Sequence, residues 1–404
     1  MSQKYPGGII SKTAPVPSGN WATASASGIW TMEQVEYWLG QSLWPTQGVA
    51  APLQLWSMGN NNFGQLGLGN RTKYSSPKQV GSLTTWAKLN TGNSSNSFAI
   101  KSDGTLWSWG YNSSGQLGLG NTTYYSSPKQ VGALTNWLSI SSSATVAAIK
   151  TDGTLWTWGD NNTGGLGQGN TTSYSSPKQV GALTGWSKVS SGNNNFIVAV
   201  KTNGTLWSCG YNQYGSLGDG TSTNKSSPVQ VGSLTNWADV SCGDYHSIAV
   251  KTDGTLWAWG LNDNGQLGLG NTTYSYSSPK QVGSLTTWSI ISAGGRQSFS
   301  IKTDGTLWSW GQNAYGQLGL GNRTYYSSPK QVGALTNWSK INCGSLNVMA
   351  ITTVGALWGW GFNVEGALGL GNTTKYSSPK QVGALTTWIA ISPNSNFSTV
   401  IKSA

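Results

Sequence analysis

The chain has 404 residues, of which only 9% are charged, and it contains 56 glycines and 23 tryptophans. A chain so rich in large aromatic side chains does not have the composition of a disordered polypeptide. The net charge of +11 comes from lysines that recur along the whole chain, so we expect no specific nucleic-acid site. The sequence has no run of 18 apolar residues, which excludes a predicted membrane span. Three cysteines without CxxC spacing predict neither a disulfide framework nor a zinc site.

Residues 1–52 differ in composition from the rest and are predicted to form an arm. The first part is rich in Gly, Pro and Ser, and Pro15 and Pro17 favour an extended chain. Thr31 and Gln34 form a capping-box pattern, and Pro45 ends the helix, which is therefore predicted over about residues 31–43. We expect the arm to anchor the protein through its apolar side chains, namely Trp30, Val35, Trp38, Leu39, Leu43 and Trp44.

A helix this short is marginal alone in water and needs a surface to pack on. Packing on the rest of the same chain and docking on another protein are both open interpretations. The run GGIISKTAPVPSG, followed by SGIWTMEQVEYW and SLWPT, is similar to the N-terminal segment of virion structural and tail-fibre-like proteins from tailed phages of marine bacteria. This resemblance covers about 45 residues and implies attachment to other virion proteins through residues 1–52.

After about residue 52 the chain consists of one motif repeated seven times, which indicates a repeat architecture. Each copy predicts four short strands. In one copy these strands cover residues 137–141, 146–150, 154–158 and 176–180, with an Asp-Gly hairpin turn between the second and the third. The period is marked by a Leu-Trp pair, whose tryptophans are Trp56, Trp107, Trp156, Trp207, Trp257, Trp308 and Trp358.

Seven units of four strands predict an all-β fold, a seven-bladed β-propeller over residues 53–404. The Asp-Gly hairpin places the second and third strands in one blade. The repeat array begins with a third strand at residues 53–56 and ends with a second strand at residues 397–402. One blade is therefore predicted to be built from both chain ends, and this closure removes the open sheet edges.

The repeat resembles the family of regulator of chromosome condensation repeats in its spacing and in the runs GTLWSWG, GQLGLGN and SSPKQVG. The resemblance spans residues 53–402 and implies a seven-bladed propeller. Nucleotide exchange and chromatin binding are known for some members. The family often has a Gly-x-x-His element before the second strand, and here only one unit has it, ending at His246. We therefore do not carry those activities over to this chain, and a structural role explains this histidine better than ligand binding does.

The repeats differ from one another mainly in two places, the loop between the first two strands and the segment just after the third strand. Strand direction puts both at one end of the propeller, which we call the top face, and puts the uniform turns and the start of the array at the other end, the bottom face. Drift where packing leaves the sequence free would also explain this variation. The alternative is a binding face on a rigid scaffold, with the candidate residues Tyr111, Tyr211, Tyr214, Tyr245, His246, Arg296, Tyr315 and Phe362.

The sequence predicts no enzyme, no cofactor and no metal site, because it has one histidine and its carboxylates do not cluster. The Gly-x-x-Gly-x-Gly runs lack the setting of a phosphate loop. We expect a non-enzymatic phage virion structural protein, a capsid or tail appendage located in the virion. The arm would attach it, and the propeller would serve display or bind a host-surface glycan or protein. The alternatives are a free bacterial-type protein-binding or inhibitor propeller and, with less support, a regulator of small GTPases or chromatin.

Overall fold

The computed structural model describes residues 4–5, 8–9, 52–92 and 94–403. Near the N-terminus, β1 (Lys4–Tyr5) pairs antiparallel with β2 (Gly8–Ile9). The predicted helix over about residues 31–43 lies outside the described residues, as do the six anchoring side chains of the arm. Within the described residues the regular structure is entirely β, and the propeller, Leu53–Ala404, forms one compact unit.

The described part of the propeller consists of seven antiparallel sheets of four strands, as the repeat predicts. Each sheet is one blade, and its strands follow one another in space in chain order. Blade 1 comprises β5 (Trp86–Gly92), β6 (Asn96–Lys101), β7 (Leu106–Gly110) and β8 (Tyr125–Gln130). Blade 2 comprises β9 (Trp137–Ser142), β10 (Thr145–Lys150), β11 (Leu155–Gly159) and β12 (Tyr174–Gln179). Blade 3 comprises β13 (Trp186–Gly192), β14 (Phe196–Lys201), β15 (Leu206–Gly210) and β16 (Lys225–Gln230).

The next three blades continue the same order. Blade 4 comprises β17 (Trp237–Cys242), β18 (His246–Lys251), β19 (Leu256–Leu261) and β20 (Ser275–Gln281). Blade 5 comprises β21 (Trp288–Ala293), β22 (Gln297–Lys302), β23 (Leu307–Gly311) and β24 (Tyr326–Gln331). Blade 6 comprises β25 (Trp338–Cys343), β26 (Asn347–Thr352), β27 (Leu357–Gly361) and β28 (Tyr376–Gln381).

Blade 7 joins the two ends of the repeat array and closes the ring. It comprises β29 (Trp388–Pro393), β30 (Phe397–Ser403), β3 (Leu53–Gly59) and β4 (Tyr74–Gln79). The pairing of β3 with β30 runs without interruption from Leu53 opposite Ser403 to Gly59 opposite Phe397. The prediction that one blade is built from both chain ends is confirmed.

In blades 1 to 5 the turn between the second and third strands is held by its own aspartate or asparagine side chain. In blade 2 the Asp152 carboxylate accepts hydrogen bonds from the backbone N–H of Thr154 at 2.9 Å and from its hydroxyl at 2.6 Å. These two hydrogen bonds lower the pKa of Asp152. The acidic residues of these turns therefore serve local backbone geometry, as expected.

Neighbouring blades are locked by a tryptophan that inserts into a glycine turn. The indole N–H of Trp158 in blade 2 donates to the carbonyl oxygen of Gln116 in blade 1 at 2.7 Å. Gly118 of that turn has φ +72°, and a Cβ there would lie 2.8 Å from the indole nitrogen of Trp158. The turn therefore needs glycine both for its backbone conformation and for the approach of the ring. The same hydrogen bond joins Trp109 to Gln65, Trp259 to Ser216, Trp310 to Gln266 and Trp360 to Gln317.

Two blades depart from this tryptophan lock. Cys209 takes the tryptophan position in blade 3, where it is buried and its thiol lies 3.5 Å from the carbonyl oxygen of Gly165. Met58 takes the position in blade 7 and packs 3.3 Å from where a Cβ on Gly369 would be. Both smaller contacts keep the turn glycine covered.

A second set of contacts between blades surrounds the central channel. The innermost strand of each blade carries a Ser or Asn, and we call these seven residues the channel belt. In five junctions the serine oxygen accepts a backbone N–H of the next blade at 2.8–3.0 Å, and the pairs are Ser392 with Thr91, Ser141 with Ser191, Ser190 with Cys242, Ser241 with Ala293, and Ser292 with Cys343. Asn90 accepts from Ser142 at 2.5 Å and Asn342 donates to Ile391 at 3.3 Å, which completes the ring.

Most lysines belong to the blades themselves. At the end of the second strand of blade 2, the ammonium group of Lys150 lies 3.6 Å from the ring centre of Trp156 and 4.9 Å from that of Trp137. Burial lowers the pKa of Lys150. Equivalent stacking holds Lys101, Lys201, Lys251, Lys302 and Lys402. Much of the net charge of +11 is therefore held in cation–π contacts of the scaffold.

We predict that deletion of residues 397–404 opens the ring. The deletion removes three fully buried side chains, Phe397, Val400 and Ile401, whose loss should lower the free energy of unfolding by roughly 5 kcal/mol. Thermal unfolding and size-exclusion chromatography measure the effect, and deletion of residues 403–404 alone is the control. A shortened chain that stays monomeric and unfolds at the temperature of the full chain would show that closure does not depend on β30.

We also predict that each hydroxyl of the channel belt stabilises the ring. Ser241→Ala leaves the buried N–H of Ala293 without its acceptor, which should cost about 1–3 kcal/mol in urea unfolding. Ser289→Ala is the matched control, because Ser289 lies exposed on the innermost strand of blade 5. Equal stabilities for the two variants would contradict a role for the belt.

Candidate binding face

The two variable loops of each blade are hydrogen-bonded to each other at the top face. The backbone N–H of Tyr111 donates to Ser95 at 3.1 Å, and that of Phe362 donates to Leu346 at 3.0 Å. The uniform turns meet at the bottom face, where the N–H of Trp137 donates to Gly104. Leu53 also lies there, because its N–H donates to Thr84 at 2.8 Å. The repeated scaffold thus gathers the sequence variation at one end.

Across the top face, side chains of one blade meet those of the next. In four junctions the residue four positions after the third strand of one blade contacts the residue just before the fourth strand of the next blade. We call each group of side chains that meets at a junction of the top face a junction cluster. Three of these clusters are aromatic.

The first aromatic cluster lies between blades 7 and 1. The ring centre of Phe63 lies 5.0 Å from that of Tyr111 and 5.8 Å from that of Tyr124, both in edge-to-face arrangements. Tyr111 and Tyr124 are 4.8 Å apart. All three side chains are half-buried, so they form a supported aromatic patch open to solvent on one side.

The second aromatic cluster lies between blades 3 and 4 and contains four tyrosines. Tyr214 is central, with ring centres 5.0 Å from Tyr245, 5.8 Å from Tyr274 and 6.2 Å from Tyr211. Tyr274 is 60% exposed. Burial, with the neighbouring tyrosines, raises the pKa of Tyr211 to about 12. Its hydroxyl donates to the side-chain carbonyl oxygen of Gln213.

The third aromatic cluster lies between blades 5 and 6. Tyr315 and Phe362 pack edge to face with ring centres 5.2 Å apart. The ammonium group of Lys375 covers both rings, at 4.8 Å from Tyr315 and 5.2 Å from Phe362. This cluster therefore combines an apolar surface with a fixed positive charge.

Other junctions are polar. Between blades 6 and 7, Lys73 pairs with Glu365 at 2.8 Å. Between blades 4 and 5, the Arg296 guanidinium pairs with Asp263 at 2.8 Å. Of the predicted face residues, Arg296 is therefore committed to an ion pair, whereas the six aromatic ones all belong to the aromatic clusters.

His246 does not lie on this surface, which corrects its placement among the candidate face residues. Its side chain is fully buried, and its Nε2 lies 2.9 Å from the hydroxyl of Ser298. Burial lowers its pKa to about 3, so the ring is neutral and holds blade 4 against blade 5. A Cβ on Gly243 would lie 2.3 Å from the ring carbon Cε1, which explains the glycine of the Gly-x-x-His element.

Three cluster residues were missed by the sequence reasoning, Tyr124, Tyr274 and Lys375. Each lies just before the fourth strand, in a stretch that is otherwise almost identical between repeats. The available signal was the variation of this single position, which is Lys73 in blade 7 and Ser173 in blade 2. That this position lies close to the variable loops of the neighbouring blade becomes visible only in the contacts between blades.

The described residues present binding chemistry and lack the side-chain groupings of a metal centre. Among them no three His, Cys, Asp or Glu side chains are placed to hold a metal ion. Burial raises the pKa of each of the thiols of Cys209, Cys242 and Cys343 to about 12, so none is a ready nucleophile at neutral pH. In the same described part, no helix has the length and apolar character of a membrane span.

The RCC1-like domain model matches residues 138–400, and the regulator of chromosome condensation (RCC1) repeat matches residues 54–98 and 103–149. The chain belongs to the RCC1-like domain family. A shorter RCC1 repeat model also matches residues 87–116. The family resemblance predicted from the repeat is confirmed.

Two relatives within the RCC1-like family are larger proteins. The chain is 31% identical over 289 residues to the ultraviolet-B receptor UVR8 of Arabidopsis thaliana, a match covering 67% of the chain and 51% of UVR8. It is 37% identical over 286 residues to a bifunctional serine/threonine-protein kinase/NEDD4-like E3 ubiquitin-protein ligase of Dictyostelium discoideum, over 66% of the chain and 15% of that protein. The chain thus spans about half the length of the first relative and much less of the second.

The fold is similar to that of Prp20p from Saccharomyces cerevisiae, a protein with binding properties to Gsp1p and histones. The two structures superpose with a TM-score of 0.78 over 87% of this chain and 92% of Prp20p, at 20% identity. At that identity the likeness concerns the fold alone.

We predict that the thiols of Cys209 and Cys242 are unreactive in the folded protein, whereas Cys343 is only half-buried. A pKa of about 12 keeps the two buried thiols protonated at about pH 7.5, where a thiolate is needed for attack on a disulfide reagent. Labelling of Cys209 and Cys242 with dithionitrobenzoate should be negligible in the native state and complete in guanidinium. The pKa is raised on folding, so these two thiols stabilise the fold below about pH 9 and this contribution is lost as the pH rises toward 12. Rapid labelling of Cys209 or Cys242 in the native protein would contradict this.

Proposed function

We propose that this RCC1-like propeller is a non-enzymatic protein-binding module that uses its top face. The observation that carries the proposal is the position of the sequence variation. Blades that are near copies elsewhere differ where their loops converge, and there they present aromatic clusters. Half-buried Tyr and Phe on a rigid scaffold are well suited to protein contacts, because little side-chain entropy is lost on binding. The binding properties of Prp20p toward Gsp1p and histones support a binding role for the fold.

The finer proposal is that the protein is a structural component of a phage virion. The support is the resemblance of residues 1–52 to arms of virion structural and tail-fibre-like proteins. In this proposal the arm binds other virion proteins, and the top face binds a host-surface protein or glycan. The propeller begins at Leu53 on the bottom face, so the chain joins it at the end opposite the aromatic clusters. A free protein-binding or regulatory propeller of this family is the competing function.

Site-specific photo-cross-linking tests which face binds. A photo-reactive phenylalanine analogue is placed in the full chain at Tyr214 or Phe362 on the top face, and at Leu134 or Leu183 as controls. Both leucines are exposed in uniform loops of the bottom face. With host cells added to purified particles, we expect adducts to a host component from the two top positions and none to that component from the controls. The same host adducts from the bottom positions would refute the proposed face.

Removal of the arm tests the virion role. A chain of residues 53–404 retains every strand of the propeller and should unfold at the temperature of the full-length propeller. We expect it to be absent from purified particles, while the full chain, supplied in parallel, is incorporated. Normal incorporation of the shortened chain would show that the arm is not the anchor and would favour the free binding protein.

A further inference from the structure

Four positive charges lie on consecutive blades at the rim of the top face. The stretch before the fourth strand reads Gly-Asn-Thr-Thr in blades 1, 2, 4 and 6, and Gly-Asn-Arg-Thr in blades 5 and 7, where Arg323 and Arg71 replace the threonine. Two positions after this Thr or Arg, blade 6 carries Lys375 and blade 7 carries Lys73. The cations are thus confined to blades 5, 6 and 7.

Three of these cations lack a neutralising partner. Within the described residues the ion pairs are Lys73 with Glu365, Lys225 with Asp219, and Arg296 with Asp263. Arg71 and Arg323 are exposed, and Lys375 is held over the rings of Tyr315 and Phe362. We call Arg71, Arg323 and Lys375 the basic arc.

Most carboxylates of the top face lie on the opposite half, and the exception, Glu365 on blade 6, is paired with Lys73. Asp160 lies on blade 2, and Asp244 and Asp263 lie on blade 4. Each is engaged within the protein, with Asn195 at 2.9 Å, Asn193 at 2.5 Å and Arg296 at 2.8 Å, respectively. The top face is therefore electrostatically divided, and its positive side coincides with the aromatic cluster between blades 5 and 6.

We propose that the basic arc docks a carboxylate-rich segment of the partner protein, with Tyr315 and Phe362 as the apolar contact beside it. The inference rests on the proposed binding function of the top face and names the partner chemistry for one sector of it. Complementary charge steers association and sets orientation. Arg71 and Arg323 add the planar, bidentate geometry that matches carboxylates.

The aromatic geometry favours a polypeptide over a nucleic acid or a sugar. Stacking of a base or a pyranose requires an open ring face. Tyr315 and Phe362 pack edge to face at 70°, and Lys375 lies over both rings, so at least one face of each ring is already in contact within the protein. The rings therefore offer less area for stacking and keep a charge beside them, which suits the side chains of a protein segment.

The test compares anionic probes of matched charge on the full chain by fluorescence anisotropy at about 50 mM salt, where surface charges are little screened. The probes are a labelled poly-L-glutamate of about 20 residues, a heparin oligosaccharide and a single-stranded DNA. The arc variant combines Arg71→Thr, Arg323→Thr and Lys375→Ser, residues that other blades already carry at these places, so the fold should be retained. We expect poly-L-glutamate affinity to fall about tenfold, since three exposed charges at a few tenths of a kcal/mol each approach that factor.

A matched control removes three lysines of the outer wall, Lys129→Thr, Lys178→Thr and Lys280→Thr, which lie over Tyr125, Tyr174 and Tyr276 of their own blades. It should change the affinity less than twofold. An equal loss in both triple variants would show general charge attraction and overturn the arc. Tighter binding of heparin or DNA that is lost in the arc variant alone would assign the arc to a sulfated glycan or a nucleic acid and overturn the carboxylate partner.

Cross-linking separates this inference from the function it rests on. If the arc variant still forms host adducts from Tyr214 with full yield and loses those from Phe362, both proposals stand. Full adduct yield from Phe362 in the arc variant would overturn the basic arc and leave the binding face in place. Absence of top-face adducts from the unmodified chain would overturn the binding face itself.

Discussion

Five of the seven blade junctions depend on the insertion of an indole of one blade into the glycine turn of the blade before it. The ring of Trp158 meets the turn at Gly118, where no side chain fits, and its N–H is satisfied by a carbonyl of the same turn. One contact thus fixes the spacing and the angle between two blades and also pairs a polar group that burial would otherwise penalise. The repeat must keep the tryptophan and the carbonyl that accepts its N–H 42 to 44 residues apart, which explains why these two motifs change least.

The lock also explains where the chain is free to vary. Residues below the glycine turn belong to a blade, to a lock or to the channel belt, and a change in a lock or in the belt removes a partner from another blade. The loops above it are hydrogen-bonded mainly through their backbones, as in the pair Tyr111 and Ser95. Side chains at the top face can therefore be exchanged without loss of the ring. This freedom of side-chain exchange is compatible both with a binding role and with neutral drift of the sequence. The clustering of aromatic residues at three junctions favours a binding role.

The strands, their order, the closing blade and the role of the Asp-Gly turns could all be predicted from the sequence. Each depends on neighbours along the chain or on a strict period, and both are visible in a repeat. The junction clusters could not be predicted, because Phe63, Tyr111 and Tyr124 meet only once the angle between blades 7 and 1 is known. For His246 the sequence led to two predictions. The structural role agrees with its burial, and its inclusion among the face residues was wrong. Its loop varies between blades, but its side chain points toward Ser298 of the neighbouring blade.

Net charge is a poor guide to the partner of such a protein, because most of its lysines are part of the scaffold. Lys150 is stacked on two tryptophans, and each equivalent lysine is stacked on one or two. The lysines of the outer wall, such as Lys129, lie over a tyrosine of the same strand. These charges repeat with the blades and surround the ring, so they give no direction to an approaching molecule. Arg71 and Arg323 break the repeat at positions where threonine suffices elsewhere. A charge that the fold does not require, placed on one side of the varied face, is therefore stronger evidence for recognition than the total of +11.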